Sequence, residues 1–302
     1  CKVISVGNIT AGGTGKTPLV MYIAKLLKRT KPAILTRGYG RKSRKKLVYA
    51  NKSSGPGKTG DEPFYMASEL KTVPVLVSGD RYYSGRVAVK KFGARIVILD
   101  DGFQRRLSLK RDLDIVLLDC LKPFGNDMLL PAGTLREPAS ALKEADIIVL
   151  SKADEGNPSG IRARLKKINS TALVVESIFE PLDLQGLQNP GKKLELKLLH
   201  NKKVLALSAI GNPTYFERIL YRYKLLELLP VRYRDHHNYE RDDLLALNKI
   251  SGGFDYIITT AKDAVKLKLQ NLKELKVPVY VLRIAFKITK GGKEFDERLK
   301  TL

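Results

Sequence analysis

Cysteine and histidine are scarce in this chain of 302 residues, with two of the first and three of the second. Cys1 and Cys120 are too few for a disulfide framework, so the composition points to a reducing, cytoplasmic setting. The cysteines lack paired ligand spacing and two of the histidines are adjacent, which argues against a zinc centre. No apolar run approaches the roughly 18 residues that cross a bilayer. No charged-then-apolar leader opens the chain either. The sequence begins at Cys1, directly on the strand-like run KVISVG, so a further N-terminal segment is expected in the native protein. Acidic residues are outnumbered: 31 Asp+Glu stand against 55 Lys+Arg, for a net charge of +24. Such an excess points to an anionic partner, whether nucleic acid, a phosphorylated substrate or a lipid surface. No nucleic-acid module or pattern of stacking aromatics accompanies the charge, which counts against nucleic acid. The Lys-rich stretch 266–302 reads as solvated surface.

What is present is a repeated alternation of strand, turn and helix. Hydrophobic residues make up 43% of the chain, enough for real cores, and the length favours two domains. Strands are expected at 3–7, 33–40, 73–81, 94–102, 113–119 and 145–152, with a helix at 18–29. Several of these runs are apolar throughout, the signature of parallel strands covered on both faces. They predict a doubly wound, mostly parallel α/β sheet with functional groups at the carboxyl ends of its strands, made P-loop NTPase-like by the glycine-rich TAGGTGKT of residues 10–17. A less regular stretch, about 154–202, precedes a second series: strands at 204–211, 255–264 and 277–288, and a helix at 213–225. We therefore expect a nucleotide-binding core over 1–165 and a smaller α/β domain over 166–302. There is no internal repeat or low-complexity tract.

Between the first strand and the first helix lies TAGGTGKT, residues 10–17. It fits strand–GxxxxGK[ST]–helix, except that Thr10 replaces the first glycine. Gly12, Gly13 and Gly15, with Thr14 between them, let backbone amides approach phosphate oxygens without Cβ clashes. Lys16 can bridge β- and γ-phosphates, the Thr17 hydroxyl can ligate Mg²⁺, and the helix directs its positive end at the same anion.

Three acidic clusters stand where phosphoryl chemistry would use them. Asp100 and Asp101 follow RIVIL, the usual place for a Mg²⁺-organising carboxylate, although either could cap the next turn. Asp61 and Glu62 open an apolar helix. With Pro63 read as its first residue, either is equally an N-cap. Asp235 precedes His236 and His237, and an imidazole beside a carboxylate can orient it or share its proton. Lys152 in SKAD resembles the guanine-reading NKxD of GTPases, but four residues are a weak signal and an ordinary strand-end turn explains them better.

Together, VGNITAGGTGKTP (6–18), LTRGYGRKS (35–43), GDEP (60–63), SGDRY (78–82), ILDDGFQ (98–104), LLPAGTLREP (129–138), DHHNY (235–239) and TTAKDAVKL (259–267) resemble the tetraacyldisaccharide 4′-kinase family. The resemblance implies transfer of the ATP γ-phosphate to the 4′-hydroxyl of a lipid-linked disaccharide 1-phosphate, giving lipid IV-A. It implies a P-loop core and a smaller C-terminal domain flanking a cleft, peripheral at the cytoplasmic face of the bacterial inner membrane. Asp61 and His236 match the family's catalytic pair. Lys16, Thr17, Glu62, Asp100 and Asp101 match its phosphate and magnesium groups, and Arg81, Gln104 and Arg136 match further active-site positions. ATP and Mg²⁺ are the implied cofactors, an anionic membrane surface the implied partner, and no obligate protein partner is expected. Arg105 stands where the family commonly has histidine, and the family's N-terminal amphipathic segment is absent from this sequence.

Two rivals remain at this point. A GTPase or metallochaperone-type hydrolase acting on a protein would explain SKAD but gives GDEP and DHHNY no task. A nucleotide-gated nucleic-acid module would explain the charge alone.

Overall fold

The first strand, β1 (Lys2–Asn8), is buried from Val3 onward and hydrogen-bonds to parallel neighbours on both sides. From Val3 onward no position carries a solvated side chain, which is why aliphatic residues dominate VISVG, while Lys2 at the exposed end pairs with Asp112. The computed structural model that contains it describes residues 1–51, 53–104 and 109–302. These divide into two compact units, the first of residues 1–179 with 286–302, the second of residues 180–285.

In the first unit β1 is followed by α1 (Lys16–Leu26), β2 (Pro32–Thr36), β3 (Val48–Ala50), α2 (Pro56–Thr59) and α3 (Asp61–Leu70). Next come β4 (Val75–Val77), α4 (Arg81–Phe92), β5 (Ile96–Asp100), β6 (Leu113–Asp119), β7 (Ile147–Ser151), α5 (Pro158–Ile168) and β8 (Leu173–Gly186), which runs on into the second unit. The strand order is β8-β7-β6-β1-β5-β2-β4-β3, parallel except for β3 against β4. Crossover helices link parallel strands, so Asn8, Thr36, Asp100, Asp119 and Ser151 all stand at carboxyl ends of their strands. Helix ends follow local chemistry. Asp80 caps α4 by accepting from the Tyr83 amide at 2.9 Å, and Gly93 closes it at φ 62°.

The second unit holds β9 (Lys193–Leu194), β10 (Lys203–Ser208), α6 (Pro213–Tyr221), β11 (Glu227–Arg232), α7 (Arg241–Ile250), β12 (Tyr256–Thr260), α8 (Ala261–Leu267) and most of β13 (Val279–Lys290). Four of its strands run β11-β10-β12-β13, all parallel, while β9 pairs antiparallel with the end of β8. Leu205, Leu207, Leu244, Leu247, Ile257 and Leu267 pack its core. The last helix, α9 (Gly292–Lys300), belongs to the first unit.

The expected division at 165/166 differs from the one found, which falls at 179/180 and again at 285/286. Residues after 165 stay with the first unit because α5 buries Ile161 and Leu165 in a core with Leu118, Leu142, Ile148 and Leu150, while β8 pairs with β7. The expectation of irregular structure over 154–202 is likewise corrected, since both α5 and the 14-residue β8 lie there.

Candidate active site

The phosphate loop leaves β1 at Asn8 and enters α1 through Gly15, whose φ of 95° suits glycine. A Cβ on Gly15 would lie 2.2 Å from Cζ of Phe179, so the helix start also has no room for a side chain. No side chain caps α1, which leaves its first amides directed outward toward an anion. Gly12 and Gly13 are exposed, and Gly12 too has positive φ, 110°.

The loop is held from several sides. Ala11 N donates to Thr134 O at 2.7 Å, and Arg136 N donates to Ile9 O at 2.7 Å, so the LPAGTLREP segment forms one wall. Ser151 Oγ donates to Thr14 O at 2.8 Å and Lys152 Nζ to Gly13 O at 3.1 Å. Lys152 is buried, and its charge is met by Asp119 at the end of β6. Burial pulls its ammonium below the ordinary lysine range, against the pull of Asp119.

Asn8 organises the centre although it is fully buried. Its Nδ2 donates to Thr10 O at 2.6 Å and Thr14 Oγ1 at 3.2 Å. Its Oδ1 accepts from Lys16 Nζ at 3.0 Å and from Arg136 at 3.3 Å. Gln104 Nε2 donates to the Asn8 carbonyl. Lys16 also lies 3.4 Å from Asp101, which Arg136 grips with two hydrogen bonds of 2.8 and 3.0 Å. Burial alone would raise the Asp101 carboxyl; Arg136 and Lys16 overcome it and hold the group at about 2.

Asp100 behaves oppositely. Its carboxylate is buried, accepts from Thr36 Oγ1 at 2.9 Å, and is pushed up to about 6 by burial first and by the charge of Glu62 second. A second negative charge has thus been brought against an already desolvated carboxylate, an arrangement that favours a bound cation. Arg81, at the start of α4, donates to the carbonyls of Ser78 and Asp100 at 3.0 Å each, tying β4 to β5.

Asp61 and Glu62 are the first two residues of α3, and Asp61 is buried. Pro63 is the third helical residue, not the first, and the N-cap is Gly60 at φ 93° with no side-chain cap. The helix-capping alternative for these acids is therefore corrected. Gly60 allows the sharp entry, and neither carboxylate serves as the cap.

In the second unit the two histidines diverge. His236 has φ 64°, and its amide donates to Ala209 O at 3.3 Å; its Nε2 lies 3.3 Å from Lys262 Nζ. His237 turns away: its Nε2 meets Asp243 at 2.9 Å and its ring stacks on Tyr233 with centroids 4.4 Å apart. Arg105 lies outside the described residues.

Asn8, Lys152 and Lys262 carry weight that residue-by-residue reading did not assign. A polar residue ending an otherwise apolar strand just before a phosphate loop was the available signal for Asn8. Lys152 had drawn attention for base recognition, yet its Nζ serves the loop backbone.

A glycine-rich loop between a parallel strand and its helix, with acidic groups ending the adjacent strand, defines a P-loop nucleotide-binding protein. The chain also matches the family model described as tetraacyldisaccharide-1-P 4′-kinase over residues 1–302. It is 38% identical to the tetraacyldisaccharide 4′-kinase of Syntrophus aciditrophicus (strain SB) over 315 residues, covering 98% of this chain and 82% of that protein. It is 39% identical to the enzyme of the same name from Halothermothrix orenii over 305 residues, covering 94% and 79%. A crystal structure of Aquifex aeolicus LpxK in complex with ATP superposes with a TM-score of 0.75 at 32% identity, covering 99% of this chain and 87% of that one. The chain belongs to the tetraacyldisaccharide 4′-kinase family, ATP-dependent phosphotransferases of lipid A biosynthesis with an alcohol group as acceptor. The rival reading as a GTPase-type hydrolase is not favoured.

Proposed function

We propose that residues 10–17 hold the ATP triphosphate and that Asp61, supported by His236, accepts the proton of the sugar 4′-hydroxyl. The observation that carries the reading is the linked set Asn8, Lys16, Asp101 and Arg136, which fixes a cation beside the loop's exposed amides. Phosphoryl transfer needs positioning and charge stabilisation above all, and this linked set supports both roles.

The donor set fits magnesium. Among the described residues no group of three or more histidine, cysteine or acidic side chains is arranged to hold a metal. Magnesium does not ask for one: it takes one or two carboxylates and completes its shell with water and phosphate. Thr17, Glu62, Asp100 and Asp101 are the residues that would hold it. When bound, the ion would offset charge on the triphosphate. Lys16 would follow the transferring γ-phosphate, and Arg136 would keep Asp101 ionised and oriented. Arg81 would act by fixing the carbonyl end of β5, and Gln104 by fixing the Asn8 peptide, more than by direct contact with substrate.

No helix among the described residues is long and apolar enough to cross a membrane. The net charge of +24 supports peripheral docking on an anionic surface at the inner membrane, each nearby Lys or Arg being worth about 1 kcal/mol. The test is incubation with γ-labelled ATP and a tetraacyldisaccharide 1-phosphate, followed by chromatography of the lipid. We expect label at the 4′-position. Label released only as inorganic phosphate would overturn the reading.

A further inference from the structure

The second unit contains a charged group placed against His236 from outside the DHHNY motif. Lys262 is the second residue of α8, and its side chain is 18% exposed. Its Nζ lies 3.3 Å from His236 Nε2 and 3.1 Å from Asp235 Oδ1. An ammonium has three donors and no lone pair, so it can approach an imidazole nitrogen this closely only where that nitrogen carries no proton. Asp235 cannot claim Nε2 in its place, since the carboxylate oxygen nearest to that nitrogen is 3.8 Å away and already accepts from Lys262.

The backbone holds the geometry. Asp263, fully buried beside Lys262, accepts from the Ala209 amide at 3.1 Å and from Thr260 Oγ1 at 2.7 Å. The Ala209 carbonyl in turn accepts the amide of His236, which sits at φ 64°. One turn, Thr260–Asp263, thus fixes the histidine's main chain through Ala209 and its ring through Lys262.

We propose that Lys262 is a positioning residue that selects the neutral tautomer of His236 with its proton on Nδ1. The working atom of His236 is then the Nδ1–H, which donates a hydrogen bond. Nε2 does not take up the substrate proton, because Lys262 occupies its lone pair. His236 acts by orienting and polarising an acceptor oxygen, while the proton of the sugar hydroxyl goes to a carboxylate. The kinetic consequence rests on the proposed role of His236 in transfer; the tautomer itself does not.

The experiment is nitrogen NMR of the full chain with ¹⁵N-labelled histidine, the His236 signals being assigned by their loss in His236→Gln. In the wild-type protein we expect protonated Nδ1 and bare Nε2. Lys262→Met should move the proton to Nε2, beside the released Asp235 carboxylate, and Lys262→Arg should restore the original pattern. Turnover at saturating substrates should fall roughly tenfold in Lys262→Met, about what one ordinary hydrogen bond is worth in a barrier, with the KM for ATP unchanged. A wild-type spectrum with the proton on Nε2, or on both nitrogens, overturns the proposal even if neither Lys262 variant folds. The expected tautomer with unchanged turnover in Lys262→Met would leave the tautomer assignment standing and count against the role of His236.

Discussion

Lys152 Nζ donates to the carbonyl oxygen of Gly13 at 3.1 Å while its charge is met by Asp119, so a buried ion pair supports the phosphate loop from beneath. Lys152→Met should strand the Asp119 carboxylate and cost about 3 kcal/mol of stability, as removal of one partner of a buried pair does. Pairing it with Asp119→Asn should recover much of that loss but not ATP affinity, because Gly13 stays unsupported. Melting curves and nucleotide titrations of the two single variants and the double variant check this. Additive stability losses would contradict it.

Lys16→Ala should abolish phosphoryl transfer while the protein stays folded. The loop loses the charge that meets the β- and γ-phosphates, and Asn8 keeps its bonds to Thr10 and Thr14. A folded variant with wild-type turnover would remove the basis for the phosphate-loop reading.

Asp61→Asn should slow the chemical step by on the order of 10²–10⁴, the usual range for loss of a general base. ATP affinity should change little. Single-turnover kinetics separate the two quantities. Since Gly60 and not Asp61 caps α3, the melting temperature should stay close to the wild-type value.

Asp100→Asn tests the electrostatics. The folded-state carboxyl is raised to about 6 from an ordinary 3.8, so between those values the folded protein binds more protons than the unfolded chain. Stability therefore falls as pH rises through this window, and the penalty is complete above about 6. Removing the charge should raise the melting temperature at pH 8 in chelator, shrink the difference toward pH 4, and abolish turnover. Thermal scans across that range check it; a variant destabilised at pH 8 would show that the carboxylate is not under strain.

His236→Ala and His237→Ala should separate function from stability. His237 holds Asp243 at 2.9 Å and stacks on Tyr233, so its loss should lower the melting temperature by several degrees with modest effect on turnover. His236→Ala should do the reverse. Equal effects of the two substitutions on turnover would mean that the family motif has been assigned to the wrong ring.

Strands that are apolar throughout were easy to read, because burial on both faces leaves one kind of residue in the sequence. β6 was expected at 113–119 and lies at Leu113–Asp119. The 14-residue β8 escaped because buried and partly exposed positions largely alternate along it, so Glu176, Ser177, Glu180, Asp183 and Gln185 break its apolar residues into short groups. The phosphate loop was legible because its glycines and lysine are local. The bracing of Lys16 by Asn8, of Gly13 by Lys152 and of His236 by Lys262 was not, since each joins segments that the fold alone brings together. Pro63 misleads most: it reads as the first helical residue but is the third, and the cap falls on Gly60, which carries no side chain to advertise the role.

Tyr22, on the helix that leaves the phosphate loop, hydrogen-bonds Asp296 at 3.0 Å and packs against Phe286 and Phe295. Those partners are translated only after the whole of residues 180–285. On the ribosome, the nucleotide-binding unit therefore waits with an unfinished apolar face around Tyr22 and Phe179 while the inserted unit is made, whose own strands need nothing that follows residue 285 except the end of β13. Vectorial synthesis thus imposes an order. The inserted segment can fold while the ATP-binding unit is still exposed, making the nascent chain a client for chaperones that shield hydrophobic surface.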